Sequence, residues 1–174
     1  MKVYCLQVGK SLIHDIMNPQ PEQIDLQAIE DRLRIMHRWS NDPRALTVHQ
    51  HRHLVAMLAR EMGEREEVID WCLHHDDHEA ITGDIPEPIK AIIRHETDVL
   101  RRIEDGIDRA ICKARGVPFP ARTTRELVHQ YDKAAETIEW RWVFWNPRAE
   151  WNAETPPLSE DKMIELLQLA RIQP

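Results

Sequence analysis

The stretch TVHQHRHLVAMLAREM (47–62) decides how this chain is read. Val48, Val55, Leu58 and Met62 recur at the spacing of one helical face, and His51 stands on that face one turn before Val55. The same period continues on both sides. Upstream, beyond the proline-punctuated loop NPQPEQ (18–23), Ile24 to Met36 predicts a helix with Ile24, Leu26, Ile29, Leu33 and Met36 as its apolar positions. Downstream, after a turn at Asp42-Pro43, helices are expected over about Glu66–His78 and Ile89–Lys113, the second carrying Ile92, Val99, Ile103, Ile107 and Ile111. A long helix begins near Thr123, with Thr123 or Thr124 as its cap and Glu126 in its first turn. Its spine is Val128, Tyr131, Ala135, Ile138, Trp142 and Trp145, and Lys162–Ile172 closes the chain. TGDIPEPIK (82–90), GVPFPA (116–121) and NPRAEWNAETPPLSED (146–161) are the breaks. No segment reads as a convincing strand. The expectation is an all-α single domain over 1–174, with five to seven helices.

Only 5 glycines in 174 residues suit that class. The three cysteines, Cys5, Cys72 and Cys112, form neither an even set nor a CxxC pair, so a reducing cytoplasm is expected and a cysteine zinc site is not. No stretch approaches 18 consecutive apolar residues, and the first residues lack the apolar core of a signal peptide. A net charge of −7 argues against a nucleic-acid polymer or an anionic membrane as partner. A small phosphorylated substrate stays compatible with it, because one metal ion and one or two basic side chains offset a phosphate locally.

The chemistry concentrates in CLHHDDHEAITGDIPEPIK (72–90). Adjacent residues at a helix end diverge by about 100°, so His75 and Asp76 can serve one ion only as neighbouring corners of its coordination sphere. A third ligand must come from another helix, where His51 is the candidate. Asp132, beside the spine of the long helix, is the candidate for a fourth. Two imidazoles and two carboxylates suit one divalent ion such as Mn, Fe, Co, Ni or Zn, with Mg possible, and with positions left open for water and substrate.

These residues resemble the HD-domain phosphohydrolases, whose pattern is a histidine on one helix, a His-Asp doublet on the next and a distant aspartate. The likeness is closest to the branch of bacterial 5′-deoxynucleotidases and small phage-type nucleotide phosphohydrolases. Arg38-Trp39 matches its Arg-aromatic pair, TVHQHR puts His51 on its metal histidine, and Asp132-Lys133 matches its DK-type helix. His75, Asp76, Glu79, Thr82, Gly83, Asp84, Pro86, Pro88 and Lys90 match HDxxE followed by TGDxPxPxK. The leader 15–33 is similar to the entry helix of the phage-type members, and the resemblance covers about 12–145, leaving 146–174 as an extension. Where members carry glutamate before the first histidine, this chain has Gln50.

The resemblance implies a metal site of His51, His75, Asp76 and Asp132, with Glu79 and Asp84 as catalytic residues. It implies substrate contacts from Arg38, Trp39, Asp84, Pro86, Glu87 and Lys90, a deoxynucleotide as substrate, and a homo-oligomer. His49, His53, His74, His78 and His95 are expected to be structural or solvated, and Trp140, Trp142 and Trp145 to pack. The leading expectation is hydrolysis of a deoxynucleoside 5′-monophosphate to deoxynucleoside and phosphate. The alternatives are a triphosphohydrolase acting on a deoxynucleoside triphosphate such as dATP, and a metal-dependent nucleotide sensor without turnover.

Overall fold

The computed structural model describes residues 5–144 and 158–173. Among these residues the fold is all-α apart from one small hairpin, β1 (Leu6–Val8) against antiparallel β2 (Ser11–Ile13). The hairpin is a departure from expectation. Three-residue strands are too short to display a period of two, and only the Gly9-Lys10 turn marks them. Gly9 has φ +59°, and a Cβ there would stand 2.4 Å from the Cβ of Ala28, so the turn sits hard against the next helix.

The helices are α1 (Leu26–Ile35), a single turn α2 (Arg38–Asn41), α3 (Val48–Glu61), α4 (Glu66–Cys72), a single turn α5 (Glu79–Thr82), α6 (Glu87–Glu96), α7 (Val99–Arg115), α8 (Arg122–Trp142) and α9 (Glu160–Arg171). Seven of them run for seven residues or more, within the expected number. Thr47 caps α3 by accepting from the Gln50 amide, and the Gln50 side chain returns to the Thr47 N–H. Gln50 Nε2 also donates to the Arg171 carbonyl at 2.8 Å, tying α3 to α9 with a donor that glutamate lacks.

Three expected boundaries shift. The helix predicted over Glu66–His78 stops at Cys72, so His75 and Asp76 lie in the turn between α4 and α5. The helix predicted over Ile89–Lys113 breaks at Thr97-Asp98 into α6 and α7. Ile92 and Val99 are seven residues apart, two helical turns, so the apolar period runs across the break and conceals it. Thr97 Oγ1 accepts from the Val99 N–H, the local bond that competes with helix continuation. Finally, neither Thr123 nor Thr124 caps α8. Ala121 stands at the cap without a side-chain bond, and the Thr124 hydroxyl donates to Glu67 on α4.

α3 is the central element and packs on α1, α4, α8 and α9. Leu54, Val55 and Leu58 join Val68, Cys72, Val128, Ala135, Ile138 and Leu166 in the main core, all fully or nearly fully buried. Val48, one end of the same helix, joins a second core with Ile13, Leu33, Ala80, Ile107 and Ile111. Each buried Leu, Ile or Val contributes about 1.5–3 kcal/mol, so both cores fix where α3 sits. His51 lies between Val48 and Leu54, with polar groups gathered around it. Trp145 and most of the 146–161 loop lie outside the described residues.

Candidate metal centre and its pocket

The end of α4 frees backbone carbonyls that a continuing helix would have used, and one of them orients a candidate ligand. The Cys72 carbonyl accepts from His75 Nδ1 at 2.8 Å, so Nδ1 carries a proton and the neutral ring presents its lone pair at Nε2. That Nε2 is buried and has no hydrogen-bond partner; Asp76 Oδ2, at 3.2 Å, is itself an acceptor. His51 repeats the device from α3. Its Nδ1 lies 2.5 Å from the carboxylate of Glu139, which is completely buried on α8, and its Nε2 lies 3.0 Å from Asp132 Oδ1 and 3.8 Å from Asp76 Oδ2. Four ligand atoms, one each from His51, His75, Asp76 and Asp132, therefore lie within 4.8 Å of one another. Histidines that present Nε2 while an outer acceptor holds Nδ1–H are the usual form of a metal-binding imidazole. The donor set fits a divalent ion.

The electrostatics agree with that reading. Burial and the nearby Arg38 push a proton off His51, but Glu139 and Asp132 overcome them and raise it to about 9. His75 is also held well above its ordinary value, against burial, by Asp76 and Asp132. Burial would raise Asp76 and Asp132, yet the adjoining histidines hold both carboxyls far below the usual range. The cluster thus demands positive charge at its centre. A proton or a metal ion can answer that demand.

A pocket of about 210 Å³ opens onto the cluster. Every residue expected in the site lines it, apart from His51, which is fully buried behind. Gly83, with φ +84° and ψ 154°, turns the chain after α5 in a conformation that L-residues avoid, and brings Asp84, Ile85 and Pro86 into the wall. Glu79, 1 % exposed, opens α5. Burial first and the Asp76 charge second raise it to about 7, with Lys90 opposing, and Lys90 Nζ donates to its Oε1 at 2.8 Å. Glu79 Oε2 and Asp84 Oδ2 are buried with no hydrogen-bond partner. Glu87 lies on the rim, 3.9 Å from Arg94.

Arg38 faces both the pocket and the backs of the ligands. Its guanidinium lies 3.5 Å from Asp76, 3.3 Å from Glu136 and 3.5 Å from Glu139. Trp39 Nε1 donates to Glu139 Oε2 at 3.3 Å, and its ring packs on Trp140 and Phe144, centroids 5.0 and 5.7 Å away. The turn carrying this pair is unusual, because Trp39, Ser40 and Asn41 all have left-handed backbone, with φ 57°, 59° and 62°. It is braced by Asn41 Oδ1 accepting from the His37 N–H and by the Arg38 N–H donating to the Leu46 carbonyl.

Sequence reasoning overlooked Glu139, Glu136, Asp108 and the role of His78. Glu139 is two turns beyond Asp132 and, like it, stands beside an apolar spine, the one signal it offered. His78, expected to be structural or solvated, is buried in the pocket wall with Nδ1 3.1 Å from Asp108. His49 and His74 do pair with structural carboxylates, Glu30 and Asp77, and His95 is exposed.

Residues 26–139 match the family described as 5′-deoxynucleotidase YfbR-like. The chain belongs to that family. It is a family of HD-domain phosphohydrolases, and the matched span runs from the start of α1 to Glu139, enclosing the whole cluster and its pocket. No curated protein matches the chain. Membership in the YfbR-like family points to a phosphohydrolase, and its HD-type centre implies a divalent metal. No helix among the described residues is long and apolar enough to cross a membrane.

Proposed function

We propose that this protein hydrolyses deoxynucleoside 5′-monophosphates to deoxynucleoside and phosphate, using one divalent transition-metal ion held by His51, His75, Asp76 and Asp132. The observation that carries the reading is the convergence of those four ligand atoms within 4.8 Å beneath a pocket whose lining includes Arg38, Lys90, Arg94 and Arg125. When bound, such an ion supplies Lewis acidity, which neutralises phosphate charge and eases deprotonation of water.

The chain's own groups do the rest. Glu139 and the Cys72 carbonyl hold the two imidazoles in the ligand-presenting tautomer. Glu79, with one oxygen held by Lys90 and a pKa near neutrality, accepts the proton of the attacking water through its free Oε2. Asp84, whose Oδ2 is buried without a hydrogen-bond partner, is the acid placed to serve the departing sugar oxygen. Arg38 and Lys90 offset charge on the phosphate, and Trp39 packs on sugar or base. Pro86 and Glu87 shape the entrance.

One observation favours a triphosphate substrate as a second reading. A further cleft, lined by Arg101, Asp105, Arg122, Arg125, Glu126 and His129, adjoins the first and shares Arg125 and His129 with it, so that three arginines, two of them paired with Glu126 and Asp105, stand beyond one phosphate. The test is a screen of deoxynucleoside mono- and triphosphates with Mn, Co, Zn and Mg, the products separated by chromatography. Orthophosphate from the monophosphate is the expected result, and tripolyphosphate would move the assignment to the second reading. No turnover with any metal would leave a nucleotide sensor.

A further inference from the structure

Glu139 is fully buried on α8, and its two carboxylate oxygens answer to different parts of the site. Oε1 lies 2.5 Å from His51 Nδ1 and 3.5 Å from Arg38 Nε. Oε2 accepts from Trp39 Nε1 at 3.3 Å. A carboxylate is planar and rigid, so whatever fixes one oxygen fixes the other. Trp39 lines the pocket from a four-residue turn. Among the described residues its ring contacts are with Trp140 and Phe144, centroids 5.0 and 5.7 Å away, and these broad apolar contacts fix no particular edge of the indole. The bond to Glu139 does fix an edge. His51 on α3 and the Arg38-Trp39 pair on α2 thus meet at one side chain contributed by a third helix.

We propose that Glu139 is a positioning residue for nucleotide recognition, which ties the setting of Trp39 and Arg38 to the metal ligand His51. The sugar-and-base half of the substrate then binds more tightly once the metal centre is filled. The inference rests on the proposed function for its metal and its nucleotide. A cation on His51 Nε2 draws charge from the ring and makes Nδ1–H a stronger donor to Oε1. Glu139, held harder, leaves the indole less freedom to lose when a sugar or base packs on it. By linkage, the nucleoside tightens metal binding by the same factor. Glu139→Gln leaves one oxygen for His51 but sets an amide donor against the indole N–H, which breaks the tie on the nucleotide side.

The full-length protein is titrated by calorimetry with each of the four deoxynucleosides, once stripped of metal and once saturated with Mn. A deoxynucleoside has no phosphate through which to reach the ion. The wild type is expected to bind at least one of them about fivefold or more tightly with Mn than without. Trp39→Phe keeps a ring and removes the indole N–H. It and Glu139→Gln should each bring that ratio to about one at saturating Mn, and the double variant should lose no more of it, because both changes cut the same bond. A wild-type ratio of about one, or no deoxynucleoside binding with Mn bound, overturns the inference and leaves the proposed hydrolysis standing. A ratio that persists in Glu139→Gln means the ion acts on the sugar directly, and overturns it as well. Effects that add in the double variant do the same. A protein that binds no Mn loses the metal reading and this inference together. If Glu139→Gln does not fold, Trp39→Phe makes the same cut from the other side.

Discussion

His51 and Arg52 are neighbours on α3, and Asp76 and Asp77 are neighbours in the turn after α4, yet the two pairs serve opposite kinds of cluster. Arg52 donates to Asp77 at 2.8 Å, makes a close ion pair with Glu30 and lies 2.8 Å from His49 Nδ1, while His74 completes Asp77. There the chain supplies its own permanent cation. One residue away, His51, His75, Asp76 and Asp132 bring four ligand atoms within 4.8 Å of one another, and the guanidinium beside them, that of Arg38, stands 3.5 Å off at Asp76 and is shared with Glu136 and Glu139. Buried carboxylates require compensation. The first cluster is closed by its own cation; on the proposed function the second takes one from outside. A shift of one residue along the chain separates the two roles.

The largest expected effect comes from the open cluster. Asp76→Ala should abolish metal binding and measurable turnover together; wild-type metal content in that variant would remove Asp76 from the ligand set. Arg52→Ala attacks the closed cluster instead, leaving Asp77 to His74 and Glu30 to His49 and Arg34. It should lower stability in urea by about 3–5 kcal/mol, toward the lower end because Glu30 is half-buried, while metal per folded chain stays unchanged. A loss of metal in the folded variant would mean the two clusters are not independent.

Glu79→Gln should retain metal and reduce turnover by about 10²-fold. In the wild type, Glu79 must be ionised to accept a proton, so turnover should climb with rising pH and level off. The limb lies between the ordinary value of 4.5 and about 7, because a bound cation pulls the raised value down. Glu79→Gln should lack this limb, and an unchanged pH profile would assign the proton to another group. The smallest effect is expected at Glu139→Gln, which keeps a hydrogen-bonding partner for His51 but removes its charge. Metal affinity should weaken by about 10–100-fold, read by competition with a chelator. Unaltered affinity would make Glu139 a packing residue.

The ligand convergence was legible because each of the four candidates carries a sequence sign, whether a doublet, a fixed offset or a place beside an apolar stripe. The geometry places their ligand atoms together, and it also brings Glu79, Asp84 and Lys90 into one wall. What supports the ligands was not legible. The carbonyl that orients His75 exists because α4 ends at Cys72, and a helix read on through His78 would have spent it within the helix. Glu139 is an acid on a buried face, which periodicity alone treats as a fault in the pattern. The break at Thr97-Asp98 carries neither proline nor glycine, and its apolar residues keep helical phase across it. The all-α class needed only the period of two cores, whereas the hairpin needed a contact between Gly9 and Ala28 that no local pattern encodes.

On the proposed function, the left-handed turn at Trp39, Ser40 and Asn41 sets heat resistance against recognition. A non-glycine residue in that conformation costs about 1–3 kcal/mol, with asparagine the most tolerant, so the native state carries a standing penalty beside its pocket. The return is an indole and a guanidinium already in place, with little freedom left to lose when a nucleotide arrives. Selection for a higher melting temperature would therefore find Ser40→Gly readily, and the relaxed turn would hold its nucleotide less tightly.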